Sequence, residues 1–148
     1  AMGMPQFISS SFRRYAVDFD GDGKRDLWKN PTDAIGSVAN YFRKHHWKPG
    51  QPITHKVDVH GKKHADLITK SLKPIHTQQQ LLDNGVILPG NIAEDLKGKL
   101  LKFEKPPNHE YWIGWNNFYV ITRYNHSALY SMAVYQLSQM IKQGYLSK

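Results

Sequence analysis

Apolar residues recur at helical spacing in two stretches that lie far apart along the chain. The first predicts a helix over residues 33–47 whose buried face consists of Ile35, Val38, Ala39 and Phe42. The second predicts a helix that begins after Ser127 as N-cap and whose buried face consists of Tyr130, Ala133, Val134, Leu137 and Ile141. Each face is expected to pack against a core.

The residues between these helices have a different pattern, in which short apolar runs alternate with Gly, Pro and Asn. This pattern predicts small antiparallel strands near residues 53–59, 98–103 and 110–115, and a short helical segment that Gly85 stops. The order is helical, strand-rich, helical. We therefore predict an α+β fold with a mostly helical core, residues 1–48 and 113–148, interrupted by an antiparallel β subdomain at residues 49–112.

Composition narrows the class of protein. With 148 residues and 40% hydrophobic content, the chain suits one globular domain, and it has no apolar run long enough to cross a membrane. The formal charge of +8 favours an anionic partner, either nucleic acid or an acidic polymer. The absence of cysteine excludes disulfides and thiolate metal sites.

An acidic loop precedes the first helix and carries the clearest chemical signal. Asp18, Asp20 and Asp22 alternate along the chain and are followed by Gly23. Carboxylates at this spacing, in a loop that glycine can turn sharply, are typical of a site for a hard cation, and without one they would repel each other. We predict a structural Ca²⁺ site, with Na⁺ as the alternative occupant.

The remaining ligands of this loop depart from the usual pattern. The backbone carbonyl of Lys24 is expected to bind the cation, but the twelfth position, usually a bidentate Glu, is Lys29. We expect Asp33 to supply the missing oxygens in a longer loop that spans residues 18–33.

Two other interpretations of the polar residues are weaker. His60 and His64 have helical spacing, but Gly61 disfavours a helix there and no third zinc ligand lies nearby. The lysines of the middle third do not alternate with aromatic residues as in a single-strand nucleic-acid surface, so we expect no nucleic-acid partner.

Aromatic and amide side chains are concentrated at residues 111–119 and again at residues 123–127. Sugar rings stack on aromatic faces, while their hydroxyl and acetamide groups require hydrogen-bond donors and acceptors. Together with Gln6 and Tyr41, we interpret these residues as the wall of a carbohydrate-binding groove.

Three motifs resemble the catalytic region of the membrane-bound lytic murein transglycosylase B family. They are AMGMPQF at residues 1–7, VDFDGDGKRDLW followed by PTDAIGSVANYF at residues 17–42, and NFYVITRYNHSALYSMAV at residues 117–134. The resemblance covers nearly the whole chain, although the middle third is only loosely similar. It implies a lysozyme-like helical core with an inserted β subdomain and a calcium loop that resembles an EF-hand.

The resemblance also implies a reaction and a location. The family cleaves the β-1,4 bond between N-acetylmuramic acid and N-acetylglucosamine in peptidoglycan without water, leaving a 1,6-anhydromuramoyl end. One glutamate acts first as acid and then as base. The implied location is the periplasm of a Gram-negative bacterium, where the parent protein is a monomer, either lipid-anchored to the outer membrane or soluble.

By this resemblance, the catalytic glutamate lies upstream of the segment that matches residues 1–7. Glu94, Glu104 and Glu110 match no catalytic motif, so we expect no catalytic residue in this chain and no activity from it alone. The implied substrate-binding residues are Gln6, Tyr41, Tyr124 and Asn125, supported by Arg123, Ser127 and Tyr130. The alternatives are a non-catalytic glycan-binding module and a basic nucleic-acid-binding module.

Overall fold

The computed structural model describes residues 1–148, which form two compact units, Ala1–Trp47 and Lys48–Lys148. Five α-helices and one three-stranded antiparallel sheet make up the regular structure, which confirms the predicted α+β class. None of the helices is both long enough and apolar enough to cross a bilayer.

The first unit contains two helices, α1 (Ser9–Tyr15) and α2 (Pro31–Lys44). Helix α2 begins earlier than predicted, because the side chain of Asn30 accepts the N–H groups of Thr32 and Asp33 and proline occupies the first helical turn. Helix α1 has no side-chain cap, because Ile8 occupies its N-cap position and the serines that follow lie inside the helix.

The inward face of α2 carries three polar side chains. Asp33 and Ser37 are fully buried, and Asn40 follows them at the spacing that keeps all three residues on one face. Ser37 Oγ accepts the N–H of Val17 at 3.0 Å, and Asn40 Nδ2 donates to the carbonyl of Tyr15 at 3.0 Å. This face therefore pairs backbone groups of the irregular segment between α1 and α2.

The predicted apolar face of α2 is consequently not buried. Ile35 is 70% exposed, and Val38, Ala39 and Phe42 are half-buried or exposed. With Met4 and Pro5 they line an apolar cavity of about 580 Å³. Helical periodicity shows that the two faces of α2 differ, but it does not show which face is covered. The polar face is covered because the backbone groups of the adjoining irregular segment need hydrogen-bond partners.

The sheet of the second unit has the order β1-β3-β2, with β1 at Thr54–Val57, β2 at Lys99–Lys105 and β3 at Asn108–Gly114. Strands β2 and β3 form a hairpin in which Phe103 faces Glu110, and β1 pairs with β3 so that Lys56 faces Trp112. Strand β3 continues to Gly114, two residues beyond the predicted end of the β subdomain. The three-part division of the chain stays a prediction.

One face of this sheet covers the main hydrophobic core. The core consists of Val57, Leu67, Leu81, Val86, Leu96, Leu100, Ile113 and Trp115. Leu67 ends a 3-10 helix (Lys63–Leu67), and Leu81 belongs to α3 (Gln78–Asp83). Thr77 caps α3 through a capping box with Gln80, so the sequence-predicted helical segment is confirmed.

Two polar groups are embedded in or beside this core. Trp115 Nε1 donates to His55 Nδ1 at 2.8 Å, and burial lowers the pKa of His55, which favours the neutral ring that can accept this bond. Lys99 is 2% exposed, and its ammonium donates to the Leu67 carbonyl at 2.7 Å and to Thr69 Oγ1 at 2.8 Å. Burial lowers the pKa of Lys99 as well.

The chain ends in α4 (Asn116–Tyr124) and α5 (Ala128–Leu146). The predicted N-cap Ser127 is confirmed, since its Oγ accepts the N–H of Tyr130 at 3.1 Å. The predicted buried face of α5 is wrong. Tyr130 is 44% exposed, whereas Ser131 and Met132 are the buried residues. Residues 140–148 are all exposed, because no neighbouring element of the chain covers that half of the helix.

Two helical glycines should respond oppositely to replacement by alanine. A Cβ at Gly36 would lie 2.6 Å from Phe19 Cβ, which is too close for two carbon atoms, whereas Gly144 faces open space. We expect Gly144→Ala to raise the free energy of unfolding by roughly 0.5–1 kcal/mol through helix propensity, and Gly36→Ala to lower it by about 1–3 kcal/mol through overpacking. Urea denaturation of the two variants measures both effects. A Gly36→Ala protein as stable as Gly144→Ala would contradict the packing of Phe19 on α2.

Candidate functional site

The three aspartates of the acidic loop converge as predicted from their spacing. One oxygen from each of Asp18, Asp20 and Asp22 lies within 4.8 Å of the others. Left-handed backbone at Gly21 and Gly23, with φ of +77° and +88°, makes this turn possible. Asp18 Oδ1 accepts the N–H of Gly21 at 2.7 Å, and Asp18 Oδ2 accepts the N–H of Gly23 at 2.8 Å.

The donor set of this cluster suits a hard divalent cation that prefers oxygen ligands. Asn30 Nδ2 donates to Asp20 Oδ2 at 2.7 Å, and this bond is the main reason that the pKa of Asp20 lies below its ordinary value. Asp20 is therefore ionised, and the cluster concentrates negative charge that a bound cation would neutralise. The carbonyl of Lys24 stays a predicted ligand, as does the likeness of the loop to an EF-hand.

Asp33 has a different structural role from the one expected of it. Its carboxylate is fully buried and lies outside the cluster of three aspartates. Asp33 Oδ1 accepts the N–H of Phe19 at 2.8 Å, and Oδ2 accepts the N–H of Asp26 at 2.9 Å. Asp33 thus fastens both arms of the loop to the start of α2, and its assignment as a cation ligand stays a prediction that this geometry does not support.

Gln6 lies in a tight turn near the start of the chain. Met2 and Phe7 exchange backbone hydrogen bonds across the turn, and the Gly3 carbonyl accepts both the backbone N–H of Gln6 at 3.1 Å and its Nε2 at 2.8 Å. Gln6 is exposed and has φ of +55°, an unusual conformation for a non-glycine residue. Its Oε1 has no hydrogen-bond donor within the chain and remains available to a ligand.

Leu27 connects this turn to the acidic loop. Its carbonyl accepts the N–H of Met4 at 2.7 Å, and a Cβ at Gly3 would lie 2.5 Å from the same oxygen, so only glycine fits there. Leu27 is fully buried and directly follows Asp26, whose N–H is bound by Asp33. The position of the Gln6 turn therefore depends on the fold of the acidic loop.

Tyr41 is buried in an aromatic cluster of the first unit. It is 8% exposed, its ring stacks on His45 at 3.9 Å between centroids, and Tyr15 contacts it edge-on at 4.8 Å. Phe7, which follows Gln6, lies 6.0 Å from the same ring. Tyr41 thus packs against Phe7 at the end of the Gln6 turn. Its expected contact with substrate stays a prediction.

The other five predicted site residues meet at the junction of α4 and α5. Tyr124 is half-buried at the end of α4, and the guanidinium of Arg123 lies 5.7 Å from the centre of the Tyr119 ring. Asn125 Oδ1 accepts the N–H of Ser127 at 3.2 Å, while Ser127 caps α5 and Tyr130 lies in its first turn. The junction presents a phenol, an amide and a guanidinium along a short stretch of surface.

Part of the predicted carbohydrate wall belongs instead to the interior of the second unit. Asn117 is fully buried, and its side chain accepts the N–H of Lys48 and donates to the carbonyls of Lys48 and Gln51. Trp115 is 1% exposed. These side chains pack in the interior or bind backbone groups. The site predicted from the polar and aromatic composition of this segment was therefore too large.

Comparison with known proteins identifies the family. The sequence model described as the transglycosylase SLT domain matches residues 1–139. The chain belongs to this family. It is 43% identical over 141 residues to the membrane-bound lytic murein transglycosylase B of Escherichia coli (strain K12), a match that covers 95% of this chain and 38% of that protein.

Solved structures of lytic transglycosylases resemble this SLT domain closely. The soluble lytic transglycosylase SltB1 from Pseudomonas aeruginosa superposes with a TM-score of 0.91 at 45% identity, over 98% of this chain and 48% of that one. Escherichia coli Slt35 in complex with calcium gives 0.84 at 41%, over 99% and 45%. Pseudomonas aeruginosa SltB3 in complex with NAG-NAM-pentapeptide gives 0.76 at 35%, over 90% and 36%. The chain thus spans less than half the length of each of these proteins.

The glutamates of this SLT domain do not have the properties of a general acid. Glu110 accepts hydrogen bonds from Lys105, Lys56 and Trp112, which lower its pKa to about 2 and keep it ionised. Glu104 is 73% exposed and pairs with Lys102, and Glu94 is exposed. A proton donor at neutral pH needs a raised pKa, usually obtained by burial in an apolar site.

Some residues that position the site were not identified from the sequence. Asn30 followed by Pro31 is a recognisable helix start, so this cap was available from the sequence. Gly3 and Leu27 gave no local signal, because their contact joins segments more than twenty residues apart.

Two matched substitutions distinguish the structural role of Asp33, which binds two backbone N–H groups, from cation binding. Asp33→Asn replaces one acceptor oxygen with an amide group that faces a backbone N–H, and we expect a loss of about 1.5–3 kcal/mol in the free energy of unfolding. Asp20→Asn, in the exposed cluster, makes the same chemical change and should alter stability much less in the absence of divalent cations. Chemical denaturation in EDTA measures both variants, and equal losses would show that Asp33 is no more important to the fold than Asp20.

Proposed function

We propose that this SLT domain is part of a lytic transglycosylase that cleaves the β-1,4 bond between N-acetylmuramic acid and N-acetylglucosamine in peptidoglycan. The observation that carries the proposal is the family match over residues 1–139, which includes the Gln6 turn, the acidic loop and the α4–α5 junction. The Escherichia coli relative is a murein transglycosylase, and SltB3 binds a NAG-NAM-pentapeptide, which supports peptidoglycan as the substrate.

The proposed product is the 1,6-anhydromuramoyl end. The 6-hydroxyl of the muramoyl residue attacks its own anomeric carbon, so the nucleophile is already held on the substrate and water is not required. One carboxyl group protonates the departing glycosidic oxygen and then accepts the proton of the attacking hydroxyl. Because Glu110 is held ionised and the other glutamates are exposed, we assign this carboxyl to a part of the protein outside these 148 residues. The chain alone should then be inactive.

The residues of this chain bind and orient the glycan in the proposed reaction. Gln6 Oε1 accepts a hydrogen bond from a sugar hydroxyl or acetamide N–H near the scissile bond, since the turn holds its Nε2 on the Gly3 carbonyl. In the second unit, Tyr124, Asn125 and Arg123 supply a hydroxyl, an amide and a cationic donor to the glycan. Tyr41 packs against Phe7 at the end of the turn and is the least exposed of the candidate glycan-binding residues.

We assign a structural Ca²⁺ to the carboxylates of Asp18, Asp20 and Asp22. The convergence of their oxygens supports this assignment, and Slt35 has been solved in complex with calcium. Bound Ca²⁺ would supply the positive charge that offsets three neighbouring carboxylates, and we propose for it a structural role. Na⁺ is the alternative occupant.

The proposed location of the whole protein is the periplasm of a Gram-negative bacterium, where its peptidoglycan substrate lies. The Escherichia coli relative is named as membrane-bound, which supports an association with a membrane, and we propose the outer membrane. We propose that the protein acts as a monomer with peptidoglycan strands as its partner.

The reaction is tested with the complete protein and purified murein sacculi, with products identified by mass spectrometry. We expect 1,6-anhydromuropeptides from the complete protein and none from the 148-residue chain. In the complete protein, Gln6→Ala and Tyr124→Phe should lower turnover by roughly 10- to 100-fold, because they remove hydrogen bonds to the reacting sugars, with little change in melting temperature.

Two exposed residues provide matched controls for these variants. Gln136→Ala and Tyr145→Phe make the same chemical changes far along α5 and should leave turnover unchanged. If the complete protein releases only reducing, hydrolytic ends, the proposed reaction is wrong. Binding of the complete protein to sacculi without any cleavage would instead favour the non-catalytic glycan-binding module.

Calcium should stabilise the chain measurably. A ligand that binds only the folded state contributes about 2.7 kcal/mol at a free concentration of 100 times its Kd. We therefore expect the melting temperature to rise on titration with CaCl₂ after EDTA treatment, and the rise to disappear in Asp20→Asn. A parallel titration with NaCl at equal ionic strength distinguishes Na⁺ binding from Ca²⁺ binding. An unchanged melting temperature in both salts would argue against any cation in this loop.

A further inference from the structure

The indole of Trp115 connects two segments of the second unit that each carry a histidine. Its Nε1 donates to His55 Nδ1 at 2.8 Å, and the two rings meet edge-on at 6.1 Å between centroids. The indole also packs against Gly98, where a Cβ would lie 3.2 Å from Trp115 Cζ3. Gly98 and His76 exchange backbone hydrogen bonds at 2.9 Å and 3.1 Å. We call His55, Trp115 and His76 the histidine–tryptophan cluster.

The bond between Trp115 and His55 fixes the protonation state of the histidine. An indole N–H can only donate, so Nδ1 of His55 must keep its lone pair and the ring must be neutral. Burial also lowers the pKa of His55 and favours the same state. A proton on Nδ1 would turn the acceptor into a second donor that faces the indole N–H, and the bond would be lost.

His76 is a second ring on which a proton is unfavourable. Its Nδ1 is buried and has no hydrogen-bond partner, so in the charged ring this atom would be a buried N–H without an acceptor. Burial lowers the pKa of His76, and the ammonium of Lys99 lowers it further. Lys99 is itself fixed in place by its bonds to the Leu67 carbonyl and Thr69 Oγ1. Both histidines of the cluster are therefore neutral in the folded chain near neutral pH.

Other charged groups around the cluster do not offset these effects. Burial alone lowers the pKa of His55, and Lys99 is the charged group that acts on His76. Lys56 and Glu110 lie on the opposite face of the sheet from His55, as the alternation along β1 and β3 requires. The titratable side chains of the neighbouring elements are His64, which bonds to the Tyr111 hydroxyl, and the exposed Lys63, Asp66, Asp83, Asp95 and Lys97.

Trp115 joins the sheet to the beginning of α4. Its backbone N–H donates to the Ile53 carbonyl at 3.0 Å, and its own carbonyl accepts the N–H of Tyr119 at 3.1 Å. Trp115 is the N-cap residue of α4 and directly follows β3. Arg123 and Tyr124 lie at the other end of the same helix. The position of the indole therefore affects the position of these two candidate site residues.

We propose that the histidine–tryptophan cluster makes the second unit sensitive to acid, because protonation of His55 breaks its bond to Trp115 and α4 loses one of its attachments to the sheet. The unfolded chain binds more protons than the folded chain below the ordinary histidine pKa of about 6.5, so stability falls as the pH falls below that value. The acid sensitivity does not depend on the proposed function. Weaker glycan binding at the α4–α5 junction in acid does rest on it.

The test compares thermal unfolding of the 148-residue chain and of His55→Asn at about pH 7.5 and about pH 5, on either side of the ordinary histidine pKa. The amide oxygen of asparagine replaces Nδ1 as the acceptor but does not titrate, so the bond to Trp115 persists at both pH values. We expect the melting temperature of the unaltered chain to fall by about 3–6 °C more than that of His55→Asn. His60→Asn is the matched control, since His60 is exposed, and it should behave like the unaltered chain.

Nuclear magnetic resonance of the unaltered chain tests the bond directly. The indole N–H resonance of Trp115 should move upfield between the same pH values, in step with the protonation of His55. Trp112 provides an internal control, because its indole N–H donates to Glu110 Oε2. The pKa of Glu110 is lowered to about 2, so this carboxylate stays ionised and the Trp112 resonance should not move.

Three results would overturn the proposal. They are equal acid-induced losses in the unaltered chain and His55→Asn, an equally reduced loss in His60→Asn, and a Trp115 resonance that stays unchanged while His55 gains its proton. The resonance measurement requires no variant, so it decides the question if His55→Asn fails to fold.

The complete protein separates this proposal from the proposed reaction. If it cleaves no murein, the reaction is refuted, whereas unfolding and resonance data still decide the acid sensitivity of the chain. If it cleaves murein, turnover should fall less at about pH 5 in His55→Asn than in the unaltered protein, because α4 keeps its attachment. Equal falls would refute the effect of the cluster on glycan binding.

Discussion

The constraint on which this fold depends is that buried backbone N–H and C=O groups must find hydrogen-bond partners. Long segments of the chain are neither helix nor strand, so regular structure does not pair their backbone groups. Helices supply the partners through inward-facing polar side chains: Asp33, Ser37 and Asn40 from α2 in the first unit, and Asn117 from α4 in the second. Each of these side chains replaces backbone pairing that regular structure would otherwise provide.

The same constraint positions the candidate site in the first unit. Asp33 holds both arms of the acidic loop, the loop fixes Leu27, and the carbonyl of Leu27 holds the turn that presents Gln6. Gln6 keeps a strained backbone because both its main chain and its side chain bond to Gly3. The acidic loop therefore supports a residue that is proposed to contact substrate.

Features that depend on a few consecutive residues could be predicted from the sequence, whereas those that depend on distant partners could not. Thr77 and Ser127 cap their helices as their local sequences indicate, and the three aspartates converge because neighbouring glycines allow a tight turn. The predictions of the buried faces of α2 and α5 were wrong, because helical periodicity does not show which elements pack against a helix. Asn117 was assigned to a carbohydrate wall because its partners lie 66 and 69 residues away along the chain.

The carboxylate of Asp33 has a consequence for the dynamics of a segment without regular structure. Amide protons in loops usually exchange with solvent quickly, because nothing holds them. Those of Phe19 and Asp26 are donated to a side chain that no water reaches, so they should exchange as slowly as amides inside a helix. A hydrogen-exchange map would then show strong protection at Phe19 and Asp26, and both amides would open only when the start of α2 unfolds.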